Sequence, residues 1–224
     1  MKKFLSVVMV VAMMASLSAC GSGSKYSKYQ KKAIKAAEDV CGASEGSSKQ
    51  KKKMIKNTDD SSMYEDGIYF IFDADDMETF ADKARSFEVD LDYSSVSKMF
   101  VFTKQVSADN SSIYCTIFEF TDKDSAEEIY DALTGERQKT EKQIKKAAKQ
   151  EDIEYASNET DTEYSLIAVD YDQDALFSGY NKIDGKVFVA IGYEGAADAD
   201  LLDEYYEFMN ECGYTDMEEL LEEA

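Results

Sequence analysis

The sequence predicts a mixed α+β protein, because short aromatic-rich strand candidates alternate with amphipathic helix candidates along most of the chain. Acidic loops separate strand from helix, and helices are predicted to begin near Asp75, Asp124 and Asp198. The chain has 15 Tyr and 12 Phe but no His, Trp or Pro. The aromatic content and the clustering of apolar residues into short runs predict a folded core rather than disorder.

The predicted elements follow from the spacing of the apolar residues. Strands are predicted at 67–73, 99–104, 113–120, 164–171 and 187–193, with 54–57 as part of a sixth. Helices are predicted at 25–41, from Asp124 to a stop at Gly135, at 136–150 and at 198–212, with a short acidic helix after the last.

Three of these segments share a pattern of strand, acidic loop and helix, which makes a loose internal repeat. The repeat resembles the ferredoxin-like split β-α-β unit, which is expected once or twice in this chain. Strands 113–120 and 187–193 are apolar on both faces, whereas the helices of such a unit cover only one face. The sequence therefore favours two ferredoxin-like halves packed sheet to sheet, within the chain or in a dimer.

The amino terminus has the order of a bacterial export signal. Lys2 and Lys3 precede an apolar run from residue 4 to residue 14, which leads to the small residues before a cysteine. Leu17, Ser18, Ala19 and Cys20 resemble the lipobox of bacterial lipoproteins, and this resemblance implies that Cys20 receives a diacylglyceryl group before cleavage ahead of it. An ordinary secretory signal and a membrane-spanning helix are the alternatives, but residues 4–19 are shorter than the roughly 20 apolar residues that a bilayer requires.

The predicted organisation follows from this signal and from the charge pattern. Residues 1–19 are the signal peptide, 20–24 the lipidated cysteine and a flexible linker, 25–58 a basic helix and loop, and 59–224 an acidic α+β domain. An alternative keeps 25–224 as one globular unit. The expected location is the extracytoplasmic face of the cell membrane, held there by the lipid on Cys20.

Charge is distributed unevenly along the chain. Ten lysines against three acids give residues 21–58 a net charge of +7, whereas residues 59–224 carry 13 basic and 43 acidic residues, a net −30. The acidic part would repel DNA and RNA, so no nucleic-acid partner is expected. Lys25, Lys28, Lys32 and Lys35 form a stripe on the first predicted helix. The stripe is predicted either to rest on anionic lipid headgroups or to be a solvated helix face.

The absence of histidine excludes Ser-His-Asp and Cys-His catalysis and every His-based zinc site. Besides Cys20 the chain has three cysteines, of which Cys41 and Cys212 each end a predicted helix and are a candidate disulfide. The alternative is that these two and Cys115, which lies within a strand, are buried thiols. Asp170, Asp172 and Asp174 resemble the start of a calcium-binding loop, but Ala175 and Asn181 replace the glycine and the glutamate that an EF-hand needs. No metal site and no cofactor is expected.

The whole chain resembles small, lysine-rich and histidine-poor lipoproteins of anaerobic Gram-positive bacteria, a resemblance that implies no particular activity. The leading prediction is a non-enzymatic, surface-tethered binding or interaction protein, with an unidentified protein or small molecule as partner. One alternative is a small-molecule or ion-binding receptor that serves a transporter, and another is a carboxylate-based hydrolase. Tyr69, Tyr114, Tyr171 and Tyr193 are candidates for a binding surface on the strands, with core packing as their alternative role.

Overall fold

Two aromatic-rich segments form a long antiparallel hairpin in the middle of one sheet. In the computed structural model, which describes residues 27–55, 64–81 and 93–224, the two strands are β3 (Val96–Val106) and β4 (Ser111–Phe120). Asn110, in the connecting turn, has a φ of 57°, a conformation that asparagine tolerates better than most residues. The resulting register places Phe102 opposite Cys115.

Further strands extend this hairpin on both sides into an eight-stranded sheet. They are β1 (Ser44–Glu45), β2 (Ile68–Phe72), β5 (Ile153–Glu159), β6 (Glu163–Asp170), β7 (Ala175–Asp184) and β8 (Val187–Gly195). Their order is β1-β2-β3-β4-β8-β7-β6-β5, and every neighbouring pair is antiparallel except the parallel pair β1 and β2. Two meanders, β2 to β4 and β5 to β8, therefore meet along β4 and β8.

Most helices in the described part of the chain begin where short polar side chains can accept hydrogen bonds from the first turn. They are α1 (Lys28–Asp39), α2 (Ser48–Ile55), α3 (Ala74–Ala81), α4 (Lys123–Ala147), α5 (Asp200–Cys212) and α6 (Met217–Glu222). Ser27 and Gln30 form a capping box at α1, and the Asp122 side chain accepts from the Ser125 amide at α4. None of these helices is both long and apolar enough to cross a bilayer.

The sheet is covered by helices on both faces, which we call face A and face B. On face A, buried side chains of α1, α5 and α6 pack with Cys115 and Ile117 of β4 in one core. On face B, side chains of α2, α3 and the first half of α4 pack with Phe118 and Phe120 of the same strand. A smaller core lies between Ile144 of α4 and strand β6.

The predicted α+β class is confirmed, but the expected sheet-to-sheet packing is wrong. A strand that is apolar on both faces requires cover on both faces, and here helices supply it twice. The sequence pattern alone does not distinguish a helix from a second sheet as that cover.

The split β-α-β arrangement is not found among the described residues either. A split unit has two parallel strands joined through a helix, with an antiparallel strand between them. Here short turns pair consecutive strands directly, as at Gly185, whose φ of 61° suits the tight connection between β7 and β8. Helix α4 then carries the chain from β4 to the opposite edge of the sheet, where β5 begins.

The five main predicted strands correspond to β2, β3, β4, β6 and β8. The prediction for 54–57 is wrong where it can be compared, because Met54 lies in α2 and packs in the face B core. The predicted stop at Gly135 is also wrong, since α4 runs through this glycine as one helix of 25 residues. A glycine in a helix interior weakens the helix by only about 1 kcal/mol, which packing on the sheet outweighs.

Candidate functional site

Two of the predicted membrane-associated residues, Cys20 and Lys25, lie outside the described residues. The other three lysines of the stripe are exposed on α1, but each contacts the protein itself. Lys28 Nζ lies 2.8 Å from Asp184 Oδ2, Lys32 Nζ donates to the Cys212 carbonyl at 3.0 Å, and Lys35 pairs with Glu211 and Asp39. These partners offset part of the positive charge, and the membrane-facing role of the stripe stays a prediction.

Charge is segregated between the two edges of the sheet. Helix α2 follows β1 directly in the chain, and its Lys49 and Lys52 are exposed without an ion pair to the described residues. Helix α1 begins farther along the sheet, because Lys28 and Tyr29 bond Asp184 of β7. At the opposite edge, residues 151–174 contain nine acids and no lysine or arginine. With strands about 4.8 Å apart, an eight-stranded sheet separates its edges by roughly 30 Å. The protein therefore has a basic edge, at β1, and an acidic edge, at β5.

The three cysteines in the described part of the chain are buried, free thiols. Cys41, Cys115 and Cys212 all belong to the face A core. Burial raises the pKa of Cys41 and of Cys212 to about 12 and that of Cys115 well above its ordinary value. Such thiols stay protonated at neutral pH and are poor nucleophiles. The candidate disulfide between Cys41 and Cys212 stays a prediction.

The tyrosine candidates for a binding surface divide into two groups. Tyr69, Tyr114 and Tyr193 are buried, so they contribute to the core rather than to a surface. Tyr171 is 55% exposed in the turn after β6, and its hydroxyl donates to Glu154 at 2.6 Å. Of the four candidates, Tyr171 is therefore the one that lies on the protein surface.

The acidic residues do not form a metal site in the described part of the chain, where no cluster of three or more metal-ligating side chains is found. Asp170, the first of the candidate calcium ligands, accepts from the Gln173 amide and so shapes the turn between β6 and β7. Asp174 has a φ of 48° in the same turn. These acids therefore have a local structural role.

A polar layer lies beneath α4 on face B, and it includes a buried arginine. Arg137 is only 5% exposed. Its Nε donates to Asn181 Oδ1 at 2.9 Å and its Nη2 donates to the Ile191 carbonyl at 3.3 Å, while Asn181 in turn donates to Thr134 at 3.2 Å. All of these acceptors are neutral, so the layer holds a buried positive charge without a carboxylate on it.

Two glycines provide the space for this layer. Gly179 of β7 and Gly192 of β8 lie directly opposite each other. A Cβ at Gly179 would overlap the Arg137 guanidinium, and a Cβ at Gly192 would overlap the hydroxyl of Tyr114. That hydroxyl is buried and has no hydrogen-bond partner among the described residues. Two hydrogen-bond donors therefore lie directly against these two glycines in the protein interior.

Carboxylates near this layer bind other groups or none. Glu141, one turn after Arg137, is buried enough to oppose its ionisation, but hydrogen bonds with Lys145, Ser157 and Tyr164 outweigh burial and lower the pKa of Glu141. Glu194 follows Gly192 on the same face of β8, and burial alone raises its pKa. Neither side chain is a counter-ion of Arg137.

This layer is not evident from the sequence, because Gly135 is predicted to end a helix. With α4 continuous, Arg137 lies four residues after Leu133, and Thr140 and Ile144 continue the buried stripe. The chain has two arginines among its 25 basic residues, so an arginine on a buried stripe is an unusual choice. The layer can donate hydrogen bonds to an acceptor from two groups, the guanidinium cation of Arg137 and the hydroxyl of Tyr114.

Comparison with known proteins does not assign the chain to a family. No family model matches the chain, and no curated protein matches it. Among solved structures, the chain is similar to the extracellular domain of PknH from Mycobacterium tuberculosis, with a TM-score of 0.34 and 7% sequence identity. The match covers 53% of this chain and 66% of that domain.

Proposed function

We propose that this protein is a lipid-anchored, extracytoplasmic binding protein without enzymatic activity of its own. The observation that carries the proposal is the sequence from Leu17 to Cys20, which follows a short apolar run and ends in the cysteine that lipoproteins acylate. Two acyl chains on one residue anchor a protein stably, whereas a single chain binds a membrane only marginally.

The charge segregation of the sheet supports this placement. The basic edge is formed by β1 and α2, which follow helix α1 in the amino-terminal part of the chain, close in sequence to the proposed anchor. An anionic membrane surface attracts lysines near it and repels carboxylates. A body held at Cys20 would therefore turn its basic edge toward the membrane and its acidic edge outward.

The anchor is tested by expressing the full chain and its Cys20→Ala variant in a bacterial host and separating membrane from soluble fractions. We expect the wild type in the membrane fraction, with a mass that includes the lipid and lacks residues 1–19. The variant should keep its signal peptide or appear without lipid. A wild-type chain found unlipidated in the soluble fraction would refute the proposal.

The orientation is tested with two matched lysine variants of the anchored protein. One changes the unpaired Lys49 and Lys52 to glutamine, and the other changes the internally paired Lys28 and Lys35. In vesicles with anionic lipid, we expect the first variant to expose its basic edge to a membrane-impermeant labelling reagent more than the second does. Equal labelling of both variants and the wild type would count against the orientation but not against the anchor.

A small-molecule receptor is the second candidate, and the buried Arg137 favours it because this cation has no carboxylate partner among the described residues. A hydrolase is the third candidate. Turnover of a glycan or an ester by the purified protein, lost on changing a pair of carboxylates, would promote the hydrolase over both binding functions.

A further inference from the structure

The buried charge of Arg137 is an unusual feature of this core. An arginine that is 5% exposed has lost most of its hydration, and burying a charge is expensive unless an opposite charge or full hydrogen bonding compensates for it. The side chain has no ion pair among the described residues, and its two hydrogen bonds go to an amide and a backbone carbonyl. Its Nη1 group makes no hydrogen bond to them. The guanidinium thus keeps donor capacity for another acceptor.

A second donor lies beside it on the same face. The Tyr114 side chain is 4% exposed, and its hydroxyl lies over Gly192 without a hydrogen-bond partner. Gly192 opposes Gly179, where the guanidinium lies. The Cβ positions of directly opposed residues are about 5 Å apart, so the two groups are neighbours. Two donors that can each accept a further partner, one of them charged, therefore face a single small region.

The protein's own carboxylates do not complete this arrangement. Glu141 lies one helical turn from Arg137 but accepts from Ser157 and Tyr164 and pairs with Lys145. The carboxylate of Glu194, on the strand that carries Gly192, has no hydrogen bond or ion pair to the described residues. The two donors therefore remain available to an acceptor from outside the chain.

We propose that Arg137 and Tyr114 form a binding site for a small carboxylate. A planar guanidinium matches the two oxygens of a carboxylate, and this fit distinguishes arginine from lysine. The tyrosine hydroxyl donates to one of the same oxygens, and Asn181 holds the guanidinium in place through Nε. The low exposure of both donors restricts the ligand to a few heavy atoms. The site lies in the folded body, so it does not depend on the lipid anchor at Cys20.

The test is a titration of the purified full-length protein with acetate, followed by calorimetry and by tyrosine fluorescence, which no tryptophan obscures in this chain. We expect saturable binding of one acetate, with millimolar or tighter affinity, as a ligand of this size allows. Tyr114→Phe should weaken binding about tenfold, the effect of losing one hydrogen bond to a charged group. Arg137→Met should abolish it.

Matched controls keep the test decisive if Arg137→Met does not fold. Tyr114→Phe removes a hydroxyl that has no partner, so it should fold normally. Tyr69→Phe changes a buried tyrosine on the opposite face and should leave acetate affinity unchanged. Absence of saturable acetate binding to the wild type, or equal affinity in Tyr114→Phe, would overturn the proposal. Binding of chloride or phosphate but not acetate would overturn its carboxylate class.

Discussion

The guanidinium of Arg137 occupies the space that a Cβ at Gly179 would need, so the long side chain of α4 lies directly on the backbone of β7. A glycine at this position allows the close approach, and the approach in turn brings Nε within 2.9 Å of Asn181. The packing of α4 on the second meander therefore depends on the absence of one methyl group.

Gly179→Ala should destabilise the protein by about 2 kcal/mol or more, because the added methyl group must displace the guanidinium and its hydrogen bonds. Gly135→Ala is the matched control, since its Cβ would meet nothing within 4 Å and lies in a helix interior. We expect that control to stabilise by about 0.5–1 kcal/mol. Urea unfolding of both variants measures the difference. A Gly179→Ala variant as stable as the Gly135→Ala variant would contradict this packing.

How far the sequence predicts the fold depends on the strand considered. In β4 the alternation of Ile113, Cys115 and Ile117 with aromatic residues identifies both the strand and its two buried faces. In β7 the buried residues include Ser178, Gly179 and Asn181, which in isolation are typical of a turn. Their burial becomes intelligible only when their partners are known, since Ser178 bonds Tyr205 and Asn181 bonds Arg137.

Edge strand β5 was missed for a different reason. Its residues are mostly exposed, and its sequence has the polar character of a loop. Charged and polar side chains on an edge oppose pairing with another chain. The feature that protects such an edge thus also removes the apolar alternation by which strands are recognised. The candidate site is also not evident from the sequence. The helix end predicted at Gly135 separates Arg137 from the buried stripe of the preceding residues.

The half-buried ion pair between Lys104 and Glu204 should contribute measurably to stability. Lys104 Nζ lies 2.8 and 2.6 Å from the two carboxylate oxygens and also donates to the Cys41 carbonyl at 3.1 Å. A double-mutant cycle with Lys104→Met and Glu204→Gln should give a coupling of about 1–2 kcal/mol. The exposed pair of Lys123 and Glu127 on α4 should show no coupling beyond experimental error. Equal coupling in the two pairs would refute the distinction.

Stability should fall as the pH rises above 9, because the buried thiols remain protonated in the folded protein. The ordinary thiol pKa of 9.0 applies to the unfolded chain, whereas burial raises the pKa of Cys41 and Cys212 to about 12 when folded. Their contribution is therefore complete below pH 9 and is lost progressively between pH 9 and 12. Between pH 9 and 10 we expect a loss of about 1 kcal/mol for each thiol.

This pH dependence is checked by urea unfolding at pH 7, 9 and 10. The variant Cys41→Ala with Cys212→Ala should be less stable at pH 7, because it leaves cavities, but should lose less stability between pH 9 and 10. An unchanged slope in the variant would show that other groups cause the alkaline loss.

The state of the cysteines should be visible in a count of reactive thiols in the Cys20→Ala chain. The folded protein should react slowly with a thiol reagent at pH 8, because Cys41, Cys115 and Cys212 are at most 2% exposed and their burial disfavours the thiolate. After denaturation without reductant, all three should react, since each is a free thiol in this structure. A single reactive thiol, identified as Cys115 by peptide mapping, would instead establish the disulfide between Cys41 and Cys212. Reduction of the denatured chain should then restore the other two.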